Sequence, residues 1–150
     1  MNDLNELYRE VILDHYQYPR HKGTCTAPCV ISEGKNPLCG DELTLYLTLD
    51  GETISDVTWN GHGCSICMAS ASMLAESVHG ISIAAAKEKL QAVVDMMHGK
   101  GIPAELDLGD LPVLEGVKQF PVRIKCALLA WTTLQEGLNQ HGNEQRNDTH

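Results

Sequence analysis

Leu43-Thr44-Leu45-Tyr46-Leu47-Thr48-Leu49 alternates without a break. Successive side chains of a strand point to opposite faces, so a period of two places the four leucines on one face and Thr, Tyr and Thr on the other. This is the pattern of a half-buried strand. Asp50-Gly51, which follows, suits a tight hairpin turn, and Thr53 to Trp59 reads as the returning strand. Upstream, Val30-Ile31 hints at a short further strand at the end of a Gly-, Thr-, Pro- and Lys-rich stretch. A hairpin with one apolar face requires cover, and helices on either side of it in sequence are suited to provide it.

Before the sheet, Leu4, Leu7, Tyr8, Val11, Ile12 and His15 follow helical i, i+3, i+4 spacing behind Asp3 as N-cap, and Tyr18-Pro19 ends the run. After the sheet, Gly61-His62-Gly63 leads into an Ala- and Ser-rich helix from Cys64 to His79, with Gly80 as the residue beyond its C-terminus. Ser82 caps the next helix, whose apolar face is Ile83, Ala86, Leu90, Val93, Val94 and Met97 and which closes at Gly99. Lys100 to Phe120 carries three glycines and two prolines and reads as a long irregular insertion. Pro121 suits the first turn of a last helix with the face Ile124, Ala127, Leu128, Trp131, Leu134 and Leu138. Asn139 to His150 has no apolar residue and is expected to be a disordered tail. The expected fold is α+β: a small antiparallel three-stranded sheet with helices packed on one face and a metal site at one end, in a single domain over residues 1–138.

The chain has 150 residues, 11 basic and 20 acidic, for a formal net charge of −9. A hydrophobic fraction of 43% excludes a disordered chain. The negative charge, with no basic cluster, excludes nucleic acid and anionic membranes as electrostatic partners. Met1 to Glu6 is acidic and lacks the apolar core of a secretory signal, and no apolar run reaches the ~20 residues of a spanning helix. A cytoplasmic location is expected, where six cysteines favour metal binding or reactivity over disulfides.

Three of the cysteines occupy special positions. Cys39 lies in the turn Asn36-Pro37-Leu38-Cys39-Gly40-Asp41, Cys64 at a helix start, and Cys126 behind Pro121 near the start of the last helix. Unpaired N–H groups at helix N-termini favour thiolates, so Cys64 and Cys126 are expected to ionise readily. From Asn36 to Ala86 there are six Asp/Glu residues and no Lys or Arg, so thiolates gathered there need a cation. Cys39, Asp41, Cys64 and Cys126 form a donor set suited to tetrahedral Zn2+. Spacing alone leaves ligation and simple burial of small apolar thiols as equal alternatives, since no paired C-x-x-C pattern occurs.

Asn36 to Asp41, Gly61-His62-Gly63-Cys64-Ser65-Ile66-Cys67-Met68-Ala69-Ser70-Ala71-Ser72 and Pro121-Val122-Arg123-Ile124-Lys125-Cys126-Ala127 resemble the three signature segments of the U-type iron–sulfur cluster assembly proteins (IscU/SufU). Leu7-Tyr8, Asp14-His15-Tyr16 and Pro19-Arg20 resemble that family's first helix, and the match spans roughly residues 4–138. The insertion at about 100–120 and Lys125, where IscU-type members carry His, resemble the SufU branch. The resemblance implies a Zn2+ site made by Cys39, Asp41, Cys64 and Cys126, and sulfur acceptance by Cys39 from a pyridoxal-phosphate cysteine desulfurase of SufS type. It also implies handover to downstream iron–sulfur assembly proteins. The alternative is a scaffold for a transient [2Fe-2S] cluster on the same ligands. The chaperone-presented Leu-Pro-Pro-Val-Lys of IscU members is reduced to Phe120-Pro121-Val122-Arg123, which argues against delivery through an Hsp70-type chaperone.

The remaining candidates have plain readings. Cys67 completes a C-x-x-C with Cys64 but reads as a buried helix residue, and Cys25 and Cys29 as incidental loop cysteines. His62 reads as a loop histidine with a structural hydrogen bond, His15 as packed. Lys125 is no ligand while charged, and Arg123 divides evenly between steadying the transferred sulfur and a surface salt bridge.

Overall fold

The computed structural model describes residues 3–25, 28–101 and 106–148. Strands β1 (Val30–Asn36), β2 (Asp41–Asp50) and β3 (Thr53–His62) form one antiparallel sheet in the order β1-β2-β3. The alternation of β2 sets its inner face: Leu43, Leu45 and Leu47 are buried, with Leu45 opposite Trp59 and Leu47 opposite Val57 on β3. The helices are α1 (Asp3–Gln17), α2 (Ser65–Val78), α3 (Ile83–Met97) and α4 (Pro121–Asp148), with a 3-10 helix, η1 (Leu111–Val117), before α4.

β1 is longer than Val30-Ile31 suggests. Its inward positions alternate as Val30, Ser32, Gly34 and Asn36, so polar and small residues stand where an apolar stripe would have marked a strand. Their burial has a reason. A Cβ on Gly34 would overlap the Thr133 hydroxyl of α4, and Ser32 Oγ donates to the Thr133 carbonyl at 2.8 Å, so α4 lies close against β1. α2 follows the same logic. Ala69, Ser70, Ala71 and Ser72 are all buried, and small side chains let α2 pack against α1, α4 and β3 together. Ser70 Oγ satisfies itself on the Ala127 carbonyl at 2.6 Å.

Two expectations on α4 and the insertion are corrected. Asn139 to Asp148, expected to be disordered, continues α4 as helix; the stretch contains no proline, and propagation adds one hydrogen bond per residue without needing an apolar face. Residues 149–150 lie outside the described residues. The insertion is not wholly irregular: Leu108, Leu111, Leu114 and Val117, at intervals of three, are all buried. In a 3-10 helix residues i and i+3 eclipse, so this period of three makes a stripe that a search at 3.6 misses. Residues 102–105 lie outside the described residues. Helix α1 departs from its reading at Leu7, which is exposed, whereas His15 is fully buried as its packed reading expects.

His15 anchors the insertion to the helices. Its Nδ1 meets Ser72 Oγ at 2.8 Å and its Nε2 meets Asp110 Oδ2 at 2.9 Å. Ser72 Oγ also accepts the Arg20 N–H at 2.9 Å, so the same hydroxyl ties the end of the α1 segment to α2. Packing and hydrogen bonding together therefore fix η1 beside α1. We expect Leu114→Ala to cost about 2–5 kcal/mol in a urea unfolding experiment. Glu115→Ala, which removes only a solvent-facing pair with Lys118 on the same turn, should change stability by less than about 1 kcal/mol.

Candidate metal centre

Asn36 ends β1 and Asp41 opens β2, and the two are register partners. The chain must therefore reverse within Pro37 to Gly40, and Cys39 sits in that turn. Its N–H donates to the Asn36 carbonyl at 3.2 Å, and Gly40, at φ 70°, supplies the left-handed residue that completes the reversal. Asp41 is 1% exposed. A buried carboxylate needs partners, and it has them: the Cys64 N–H donates to Oδ1 at 2.8 Å, and Asn36 Nδ2 donates to Oδ2 at 3.3 Å. β3 returns to Asp41 through Gly63, where a Cβ would overlap the Asp41 carboxylate.

Cys64 is the N-cap of α2, and its Sγ accepts the Cys67 N–H at 3.4 Å. Cys126 lies in the second turn of α4. It is fully buried, with Sγ 3.2 Å from Cys39 Sγ and 3.7 Å from both Asn36 Nδ2 and the Val122 carbonyl. One donor atom from each of Cys39, Asp41 and Cys126 lies within 4.8 Å of the others. Cys64 joins through Asp41, its Sγ 4.0 Å from Oδ2.

The expectation that Cys126 ionises readily is overturned. The helix-end effect fades within the first turn, and burial, followed by hydrogen bonds that the thiol makes to Cys39, Cys64 and Asp41, pushes it well above the usual range. Cys67 is also pushed up, by burial first and then by the charges of Asp41, Cys64 and Cys39. It is a buried helix residue, as its spacing indicated, and it stands directly behind the cluster.

Zinc fits this donor set. A tetrahedral site with Zn–S bonds of about 2.3 Å and Zn–O bonds of about 2.1 Å has S–S edges of about 3.8 Å and S–O edges of about 3.6 Å, and the observed S–S separation of 3.2 Å and S–O separation of 4.0 Å lie within about 0.6 Å of them. A divalent cation would replace the thiol protons and supply the missing counter-charge. The Asn36 amide and the Cys64 N–H hold the carboxylate in place from behind, as outer partners of metal ligands do.

Access is one-sided. Asp41 and Cys126 are buried, whereas Cys39 and Cys64 are partly exposed and line a groove of about 1080 Å³. α1 walls it with Tyr8 and Ile12, η1 with Val117, and the start of α4 with Phe120 and Arg123. Leu38 beside Cys39, Phe120 and Val122 are exposed around its mouth. Arg123 is exposed, and among the described residues its guanidinium has no ion pair, so the salt-bridge reading has no partner there.

The other candidates lie away from the cluster. His62 Nε2 binds Glu42 Oε2 at 2.9 Å on the exposed side, the structural bond expected of it, and Lys125 is exposed. Cys25 Sγ is 3.8 Å from Thr48 Oγ1, and the Cys29 thiol is pushed up to about 11 by burial and by its contacts with Cys25. No third metal-ligating side chain joins that pair among the described residues. The sequence reading missed Asn36 and Gly63 as supports for Asp41. Asn36 was detectable, because it shares the inward parity of Val30 and Ser32 yet ends the strand with an amide.

The sequence pattern of the family described as NifU-like N terminal domain matches residues 7–148. The zinc-dependent sulfurtransferase SufU of Bacillus subtilis (strain 168) is 45% identical over 136 residues, 91% of this chain and 92% of that protein. The iron–sulfur cluster assembly scaffold protein IscU of Streptococcus pyogenes serotype M1 is 38% identical over 149 residues, 97% of this chain and 91% of its own length. A crystal structure of an iron–sulfur cluster assembly scaffold protein for the SUF system, from Fervidobacterium islandicum AW-1, superposes with a TM-score of 0.81 at 37% identity, covering 87% of this chain and 96% of that one. With signature segments, fold and whole-length similarity in agreement, the chain belongs to the NifU-like N-terminal domain family, the IscU/SufU proteins.

Proposed function

We propose that this protein is a zinc-dependent sulfur carrier for iron–sulfur cluster assembly. It would accept sulfur from a pyridoxal-phosphate cysteine desulfurase of SufS type and pass it to downstream assembly proteins. The observation that carries this reading is the unequal exposure of the cluster: Cys39 is partly exposed on a glycine turn, while Asp41 and Cys126 are buried behind it. The name of the Bacillus subtilis relative, a zinc-dependent sulfurtransferase, supports it.

Cys39, Asp41, Cys64 and Cys126 would hold Zn2+. When bound, the metal keeps the thiols deprotonated and restrains their nucleophilicity. Cys39 lies in the turn between β1 and β2, outside both strands and partly exposed, so its thiolate is the ligand candidate best placed to act as a nucleophile. The thiolate attacks the outer sulfur of the partner's cysteine persulfide. A new S–S bond forms to Cys39, the partner's S–S bond breaks, and its cysteine leaves as thiolate, so the exchange needs no external oxidant. Asp41, Cys64 and Cys126 would still offer a carboxylate and two sulfurs to the metal. Arg123 lines the groove, has no ion-pair partner among the described residues, and would steady the anionic sulfur in transit. Six cysteines in a chain of 150 residues suit a reducing compartment, which supports a cytoplasmic location.

The second reading treats a [2Fe-2S] cluster as cargo assembled on the same donors. The scaffold names of the Streptococcus and Fervidobacterium relatives favour it. Zinc near one equivalent without visible absorbance supports sulfur transfer; a brown, anaerobically stable species supports the scaffold.

Cys39→Ala should abolish persulfide acceptance from a desulfurase while leaving substantial zinc bound, read by mass spectrometry and metal analysis. Undiminished acceptance would sink the proposal. Gly63→Ala should push against Asp41 and weaken zinc binding by about 10–100-fold, measured by competition with a chromogenic chelator. Arg123→Ala should keep its zinc but transfer sulfur about ten-fold or more slowly, the effect of losing a charge-assisted hydrogen bond.

A further inference from the structure

The far end of α2 gathers a different set of donors. The helix has 14 residues, so at 1.5 Å per residue its C-cap, His79, stands roughly 20 Å from Cys64. There the His79 and His21 rings lie 4.9 Å apart between centroids, and His79 Nε2 is 3.5 Å from Asp56 Oδ1. One donor atom from each of His21, Asp56 and His79 lies within 4.8 Å of the others.

Three separate pieces of backbone bring these side chains together, and each is tied to β3. Asp56 belongs to β3 itself, and its Oδ1 also accepts the Val57 N–H at 3.0 Å. His21 is fixed beside Trp59: the Trp59 N–H donates to the His21 carbonyl at 3.2 Å, and the Gly23 N–H to the Trp59 carbonyl at 2.8 Å. His79 is held by the turn that follows α2, where the Gly80 N–H donates to the Ile54 carbonyl at 2.8 Å. His21 is also the one non-glycine with positive φ among the described residues, at 60°. Histidine is among the few side chains that tolerate this left-handed conformation, which turns the chain back toward β3. The neighbouring cation, Lys22, is engaged over the Trp59 ring at 5.5 Å.

We propose that His21, Asp56 and His79 form a second metal site, for a divalent transition cation such as Ni2+, Co2+ or Zn2+. Two imidazoles and a carboxylate are the donors such ions prefer to the hard-oxygen cages of Ca2+ and Mg2+. Metal–ligand bonds of about 2.0–2.2 Å require donors about 3.0–3.5 Å apart. The His79–Asp56 pair is already at that spacing, and rotation of the exposed His21 side chain closes the rest. All three residues are exposed, so the unfilled coordination positions face water and the bound ion exchanges freely with solution. The site shares no ligand with the thiol cluster, which its sulfur donors reserve for softer chemistry.

The test uses the full chain without a histidine tag. Zinc already bound is first measured, which reads the thiol site separately, and Ni2+ is then titrated calorimetrically. We expect one further equivalent in the parent protein, weakened at least ten-fold in both His79→Gln and Asp56→Asn, with zinc content and melting temperature unchanged. Co2+ in place of Ni2+ should bind without thiolate-to-metal charge-transfer absorption. Absence of a further equivalent, its survival in both variants, or charge-transfer bands on the added Co2+ would overturn the proposal.

Discussion

The buried carboxylate of Asp41 is the constraint around which the candidate metal centre is organised. A carboxylate withdrawn from water costs several kcal/mol unless its oxygens are engaged. Here one oxygen is held by the backbone of Cys64 at the start of α2 and the other by the amide of Asn36 at the end of β1. Asp41 itself opens β2, so a single side chain fixes the relative positions of two strands and a helix. Gly63 leaves room for it by having no side chain. Two cysteines are thereby set beside the carboxylate, one in the turn before Asp41 and one on the helix cap that binds it. Only Cys126 arrives independently, on α4, whose depth is set by the small residues Gly34 and Ser32 beneath it.

This arrangement explains why the helix layer is made as it is. α2 lies between the sheet and two other helices, and larger residues than its Ala and Ser would push α4 outward and carry Cys126 with it. Interior packing is dense enough that such a displacement is felt throughout. The apolar content of α2 is therefore subordinate to distance. Volume is supplied elsewhere, by Trp59 and Trp131, both fully buried, and by the leucines of β2.

Much of this was legible in the sequence. The strict alternation of Leu43 to Leu49, the Ser82 cap and the Pro121 helix start announced their elements directly, because each depends on local chemistry. The hidden parts share a physical cause: their patterns serve contacts far away in the chain. β1 shows polar inward residues because Ser32 and Asn36 bond to α4 and Asp41. η1 repeats every three residues because Leu111, Leu114 and Val117 fit a tighter helix. Of the candidate centre, residue types and order pointed to Cys39, Asp41, Cys64 and Cys126, but the burial that raises the Cys126 thiol depends on the depth of α4, which no local pattern encodes.

The single opening beside Cys39 carries a consequence for traffic. A sulfur atom added to Cys39 extends its reach by about 2 Å, the length of an S–S bond, and that extension points the same way the donor came. Donor and recipient must therefore take turns at one doorway, because among the described residues Cys39 and Cys64 line the same groove while Asp41 and Cys126 are buried behind it. Under the proposed chemistry the cycle is necessarily ping-pong: load, part, meet the next protein, unload. A permanent three-way assembly would be an obstacle, and the shallow, apolar rim of Leu38, Phe120 and Val122 suits encounters that end.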